Sequence, residues 1–116
     1  MQKIEKWRIQ ELVLVLEEIS SILRKGNNAE WASVFSHYYQ EARQILESKN
    51  LQVDKLNRLI FNIKNCFHTG SSLDDPLIFE DMQKEFYGIL KEYQTTRLRL
   101  LGILQQMEDQ LVEFIH

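Results

Sequence analysis

The sequence has few residues that break or cross-link a chain: one cysteine, one proline and four glycines among 116 residues. A single cysteine excludes a disulfide framework and a four-thiolate zinc site. So few glycines and prolines also argue against most β-sandwiches and barrels, which need a turn about every 8–12 residues. No apolar run approaches the roughly 18 residues that span a membrane. These absences favour a helical, globular fold.

The residues that are present support that fold. Hydrophobic residues make up 44% of the chain, which excludes intrinsic disorder, and the length fits one domain over residues 1–116. Apolar residues recur at spacings of three and four, and this pattern predicts helices over about 2–25, 29–48 and 52–68. We therefore expect an all-α, compact bundle.

The last region, about 76–116, carries a long apolar seam. It includes Leu100, Leu104 and Leu111, and its spacings of four and three are those of a helix-packing surface. One straight helix there would reach about 60 Å, whereas a compact chain of this length has a radius of gyration of about 13 Å. Two threonines and the seam residue Arg97 weaken the stretch 93–97. A bend or break at 93–97 is therefore one possibility, and the bundle has four or five helices.

Turn residues mark the predicted helix ends. Gly26 follows a cationic last turn and should stop the first helix, after which Asn28 can cap the second. Gly70 should end the third helix in the left-handed conformation. Asp75 and Pro76 suit the start of the last helix, because a proline at the first helical position gives up no intrahelical hydrogen bond.

The candidate catalytic and metal-binding residues each have a simpler interpretation. His37 and Glu41 lie four residues apart and fit an ordinary helix pair better than a metal site. Cys66 fits a buried structural thiol better than a nucleophile, since a catalytic thiolate needs an electropositive setting. The sequence has no glycine-rich phosphate loop and no nucleophile elbow. We expect no enzymatic activity, no metal and no cofactor.

The acidic residues are concentrated in one part of the chain. The net charge of the whole chain is −3, yet residues 71–94 alone sum to −4 and the preceding residues 51–70 to +2. Because complementary charge speeds association and rejects wrong partners, this segment is a candidate surface for a basic protein partner. The alternative is that these acidic residues form an ordinary solvated face without a partner. Asp74 and Asp75 also have a purely structural interpretation as helix caps. The candidate partner-binding residues are Asp74, Asp75, Asp81, Glu85 and Glu92.

Two stretches carry a family resemblance. One is Leu16–Phe35, which contains Trp31-Ala32 after the first helix, and the other is Ile63–Ile78, which contains the Gly70-Ser71 turn and Asp74-Asp75. Together they cover about residues 15–79 and resemble small helical bacterial proteins that confer immunity to contact-dependent growth-inhibition toxins and related polymorphic toxins. The resemblance carries no individual binding residue over to this chain.

The resemblance implies a cytoplasmic immunity protein that binds and neutralises a cognate toxin domain of nuclease type. Nucleases grip phosphates with basic surfaces, so an acidic inhibitor would complement them. Neither nucleic acid nor a membrane is expected as a partner, and the oligomeric state is left open. The alternative is a non-catalytic helical adaptor or oligomerising module that uses the C-terminal seam.

Overall fold

The structure, a computed structural model, describes residues 4–68, 71, 73 and 84–115, and within the last segment the side chains of 88–111. These residues form four helices and no strand: α1 (Lys6–Lys25), α2 (Ala29–Glu47), α3 (Val53–Asn65) and α4 (Lys84–Ile115). The predicted all-α class and the long last helix are confirmed. The third helix ends three residues earlier than predicted, because the N–H groups of Cys66 and Phe67 already bond three residues back in a tighter turn.

The helices are arranged in a ring in which each one packs against two neighbours. α1 lies between α2 and α4, and α3 contacts the same two helices from the other side. Arg8 donates to Gln106 at 2.7 Å and Arg99 pairs with Glu18, so α1 and α4 run antiparallel. The short α1–α2 connection makes that pair antiparallel too, and there the Ser20 hydroxyl donates to the carbonyl of Ala32 at 3.0 Å. In such a ring the α1–α4 face and the α2–α3 face lie on opposite sides of the bundle.

The core is one hydrophobic cluster to which all four helices contribute. The fully buried positions of α3, Leu56, Leu59, Ile60 and Ile63, follow the helical period. Burial of each such side chain contributes about 1.5–3 kcal/mol to folding. The seam residues Leu100, Leu104 and Leu111 are likewise buried in this cluster. The seam is therefore an internal packing surface of the chain.

The connection between α1 and α2 uses an asparagine where the sequence suggested a glycine. Asn27 adopts φ 63°, whereas Gly26 has φ −86°. The N–H of Asn28 bonds the carbonyl of Leu23 at 2.8 Å, and the N–H of Asn27 bonds that of Arg24 at 3.2 Å. These two bonds form a Schellman motif with Asn27 at the left-handed position. The Asn28 side chain then accepts the N–H of Trp31 at 3.4 Å, which confirms the predicted N-cap.

α4 passes through 93–97 without interruption, so of the two possibilities the structure has the unbroken helix. Thr96 is buried on the core face, and the helix penalty of two threonines is small beside the packing of this face. Arg97 marks no break: its guanidinium donates to the main-chain carbonyl of Leu73 at 3.5 Å. The 32 residues of α4 extend about 48 Å, which matches the long dimension of 50 Å of the molecule.

Candidate functional site

Of the five predicted partner-binding residues, the structure places one side chain. Asp74, Asp75 and Asp81 lie outside the described residues, and Glu85 belongs to the first turn of α4 with its side chain also outside them. The carboxylate of Glu92 is exposed and lines a groove between α1 and α4. The part of the predicted acidic surface that the structure describes, Glu92, therefore belongs to this groove.

The α1–α4 groove has a volume of about 750 Å³. It follows the C-terminal half of α1 and the N-terminal half of α4, and it is open to solvent along its length. Its lining residues are Leu14, Glu17, Glu18, Ser21, Ile22 and Lys25 from α1, and Gly88, Lys91, Glu92, Thr95, Thr96 and Arg99 from α4. Most of these side chains are exposed, so the groove is accessible to a partner.

Three carboxylates and three cations line the groove. Glu18 is engaged by Arg99 across the two helices. The carboxylates of Glu17 and Glu92, like the ammonium groups of Lys25 and Lys91, have no ion-pair partner among the described residues. A partner would therefore meet two uncompensated charges of each sign. Such a mixed pattern is suited to selecting one complementary surface.

The contribution of α1 to this groove was missed by the sequence analysis. Glu17 and Glu18 belong to a segment, 1–28, whose net charge is +1, so the charge map gave no sign of a local acidic pair. The signal that could have found them is the abrupt change from the apolar run Leu12–Leu16 to two consecutive glutamates. Their position beside α4 depends on the antiparallel packing of two helices that are far apart in sequence.

Gly88 lines the groove without a side chain, which leaves space at the groove surface. A Cβ placed on Gly88 would meet no atom within 4 Å in the described structure, so no internal contact requires glycine there. Glycine costs about 1 kcal/mol against alanine inside a helix. Because glycine has no side chain, the groove has more open space at this exposed position, one helical turn before Glu92.

His37 and Glu41 form the ordinary helix pair that their spacing predicted. The ring Nε2 of His37 lies 2.7 Å from Oε1 of Glu41, and both side chains are partly or largely exposed. Among the described residues no three histidine, cysteine, aspartate or glutamate side chains come together as a metal site would require. The pair is explained by helix geometry alone.

Cys66 is a half-buried thiol at the end of α3. Its Sγ lies 3.5 Å from the Tyr38 hydroxyl and 3.4 Å from the carbonyl oxygen of Asn62. Burial raises the pKa of the Cys66 thiol, and burial together with the contact to Cys66 raises the pKa of the Tyr38 phenol. Both groups are thereby kept neutral, which is the opposite of what a nucleophilic thiolate needs.

No helix in the described part of the chain is both long and apolar enough to cross a membrane. Comparison of the chain with protein-family models, with characterised proteins and with solved structures finds no match.

Proposed function

We propose that this chain is a non-catalytic, cytoplasmic immunity protein that binds and neutralises a cognate toxin domain through an acidic surface that includes Glu92 in the α1–α4 groove. The single observation that carries the proposal is the position of the exposed Glu92 on this open groove, which Glu17 of α1 also lines. The sequence resemblance to immunity proteins of contact-dependent growth inhibition supplies the class of partner.

Charge explains how such a surface would act. A toxin domain of nuclease type presents lysine and arginine to phosphates, and uncompensated carboxylates on an inhibitor attract it before contact. Asp74, Asp75, Asp81 and Glu85 precede Glu92 along the chain and extend the same negative segment. Lys25 and Lys91 at the groove restrict the fit to a partner that also offers an acid or an acceptor there.

The decisive experiment uses the toxin domain that this proposal expects to be encoded beside the gene for this chain. Association of the two purified proteins is followed by stopped-flow fluorescence at low and moderate salt. Glu92→Lys should slow association about tenfold at low salt, because steering by opposite charge acts on the association rate. Asp109→Lys makes the same charge change on the same helix, about 25 Å away, and should leave the rate nearly unchanged. Equal association rates for the wild type and Glu92→Lys would show that Glu92 is not part of the interface.

A helical adaptor or oligomerising module is the second candidate function. The seam that the sequence suggested for it is buried inside the chain, so an adaptor would need another surface. Trp7 and Leu14 supply one: they are 51% and 58% exposed and lie two turns apart on α1. Sedimentation velocity distinguishes the candidates, because self-association that Leu14→Gln abolishes would favour the oligomerising module.

A further inference from the structure

A second groove lies between α2 and α3, on the opposite side of the bundle from the α1–α4 groove. It has a volume of about 630 Å³. Its lining consists of polar side chains from both helices and one buried apolar side chain, Ile45. The residues of this α2–α3 groove are His37, Gln40, Glu41, Gln44 and Ile45 from α2, Gln52 before α3, and Lys55, Arg58 and Asn62 from α3.

The groove carries two uncompensated positive charges. Lys55 and Arg58 are exposed and lie three residues apart, so they share one side of α3. Neither cation has an ion-pair or hydrogen-bond partner in the described part of the chain. The acid that lines the groove, Glu41, is already in contact with the His37 ring at 2.7 Å. Negative charge on a ligand would therefore be drawn to the α3 side.

The remaining polar side chains match a peptide main chain. Gln40, Gln44, Gln52 and Asn62 each present an amide with both a donor and an acceptor, as every peptide group does. A phosphate group would use only the donors. No phenylalanine, tyrosine or tryptophan is among the described residues of the groove, although bases of nucleic acids are commonly stacked on such rings. These amides favour a peptide over a nucleotide.

The dimensions of the groove set the length of such a ligand. Between Gln52 and Asn62 it follows α3 for about 15 Å at the helical rise of 1.5 Å per residue. An extended chain rises about 3.3 Å per residue, so four or five residues would occupy it.

We propose that the α2–α3 groove binds an extended acidic peptide segment of a protein partner. Carboxylates of the segment pair with Lys55 and Arg58, and its main chain bonds the glutamine and asparagine amides. This site is independent of the proposed toxin interface, since the α2–α3 groove lies on the opposite face of the bundle from the α1–α4 groove.

The test uses the full chain labelled with ¹⁵N and a six-residue peptide of alternating aspartate and glutamate with both ends blocked. Titration followed by two-dimensional NMR should shift the amide signals of α2 and α3 residues that line the groove. Lys55→Gln with Arg58→Gln should weaken binding at least tenfold. The matched control, Lys25→Gln with Lys91→Gln, removes two exposed cations from the α1–α4 groove and should bind within about twofold of the wild type. All four lysine and arginine side chains are exposed, so the dispersed spectra of folded protein should persist in both variants.

Three results would overturn the proposal. Equal weakening by both double variants would show that the peptide responds only to net charge. Equal binding of a peptide of alternating asparagine and glutamine would show that the carboxylates are not recognised. Inorganic phosphate that shifts the same signals and displaces the peptide would identify a small-anion site instead.

Discussion

The Tyr93 hydroxyl donates a hydrogen bond of 3.1 Å to the main-chain carbonyl of Leu73. Both residues are almost completely buried, and the same carbonyl also accepts from Arg97. This contact joins the N-terminal third of α4 to the chain that follows α3, across 20 residues of sequence. A buried carbonyl without a hydrogen bond would destabilise the fold, so the Tyr93 and Arg97 side chains of α4 stabilise the position of Leu73.

Tyr93→Phe should lower the free energy of unfolding by about 1 kcal/mol, because it removes a buried hydrogen bond and leaves the ring. Urea denaturation followed by circular dichroism measures the change. The double variant with Arg97→Met should lose more than the sum of the single losses, since it leaves the Leu73 carbonyl without either donor. Additive losses would show that the two donors do not share this acceptor in solution.

Asn27→Ala should destabilise the protein by about 1 kcal/mol, and Asn27→Gly should be neutral or stabilising. The reason is the φ of 63° at this position, which glycine adopts freely and alanine resists. Thermal unfolding of the wild type, Asn27→Ala and Asn27→Gly measures the order of their stabilities. Asn57→Ala, at an exposed position of α3, is the control for loss of an asparagine as such. An Asn27→Ala variant as stable as the wild type would contradict the left-handed turn.

Leu104→Ala should cost about 2–5 kcal/mol of stability, because it opens a cavity in the core. Leu98→Ala removes the same atoms from the same helix at a position that is 66% exposed, and it should cost less than about 0.5 kcal/mol. Chemical denaturation gives both values. A similar cost at the two positions would mean that the seam does not face the interior of the chain.

The free energy of unfolding should fall as the pH rises above about 8.5, the ordinary pKa of a cysteine thiol. Burial raises the pKa of Cys66 in the folded protein, so the folded state holds its proton where the unfolded state releases it. The stabilising effect is complete below the unfolded pKa and is lost as the pH rises towards the folded one. The raised pKa of Tyr38 acts in the same direction at higher pH.

Urea denaturation between pH 7 and 10 checks this dependence. In Cys66→Ser the decline that begins near pH 8.5 should be smaller, because serine does not titrate in this range. The wild-type thiol should also react with iodoacetamide more slowly at pH 8 than a free cysteine does. Reaction as fast as that of free cysteine would contradict the raised pKa.

The local features of the fold could be predicted because each depends on residues close together in sequence. The apolar spacing of α3 and the Asn28 cap are of this kind, as is the His37–Glu41 pair. Whether α4 breaks at 93–97 is left open by the sequence for the complementary reason, because the answer depends on residues far apart along the chain. Helix propensity considers the threonines and Arg97 one residue at a time. In the structure, Thr96 is buried in the core and Arg97 donates to the main-chain carbonyl of Leu73, 24 residues away in sequence.

The candidate site shows the same division. Its α4 side, Glu92, came from a charge pattern within one segment. Its α1 side required the pairing of Glu18 with Arg99, which are 81 residues apart. The α2–α3 groove likewise joins Lys55 and Arg58 to the glutamines of another helix. No spacing rule within a helix can supply such combinations.

The sequence by itself determined an all-α fold, the register of the apolar stripes and the position of the turn between α1 and α2, because these follow from the helical period and local hydrogen bonding. Only the tertiary structure decided that α4 continues through 93–97 and that the C-terminal seam is internal. It also decided which charges share a groove. Those outcomes depend on which helices become neighbours, and the packing of the whole core sets that arrangement.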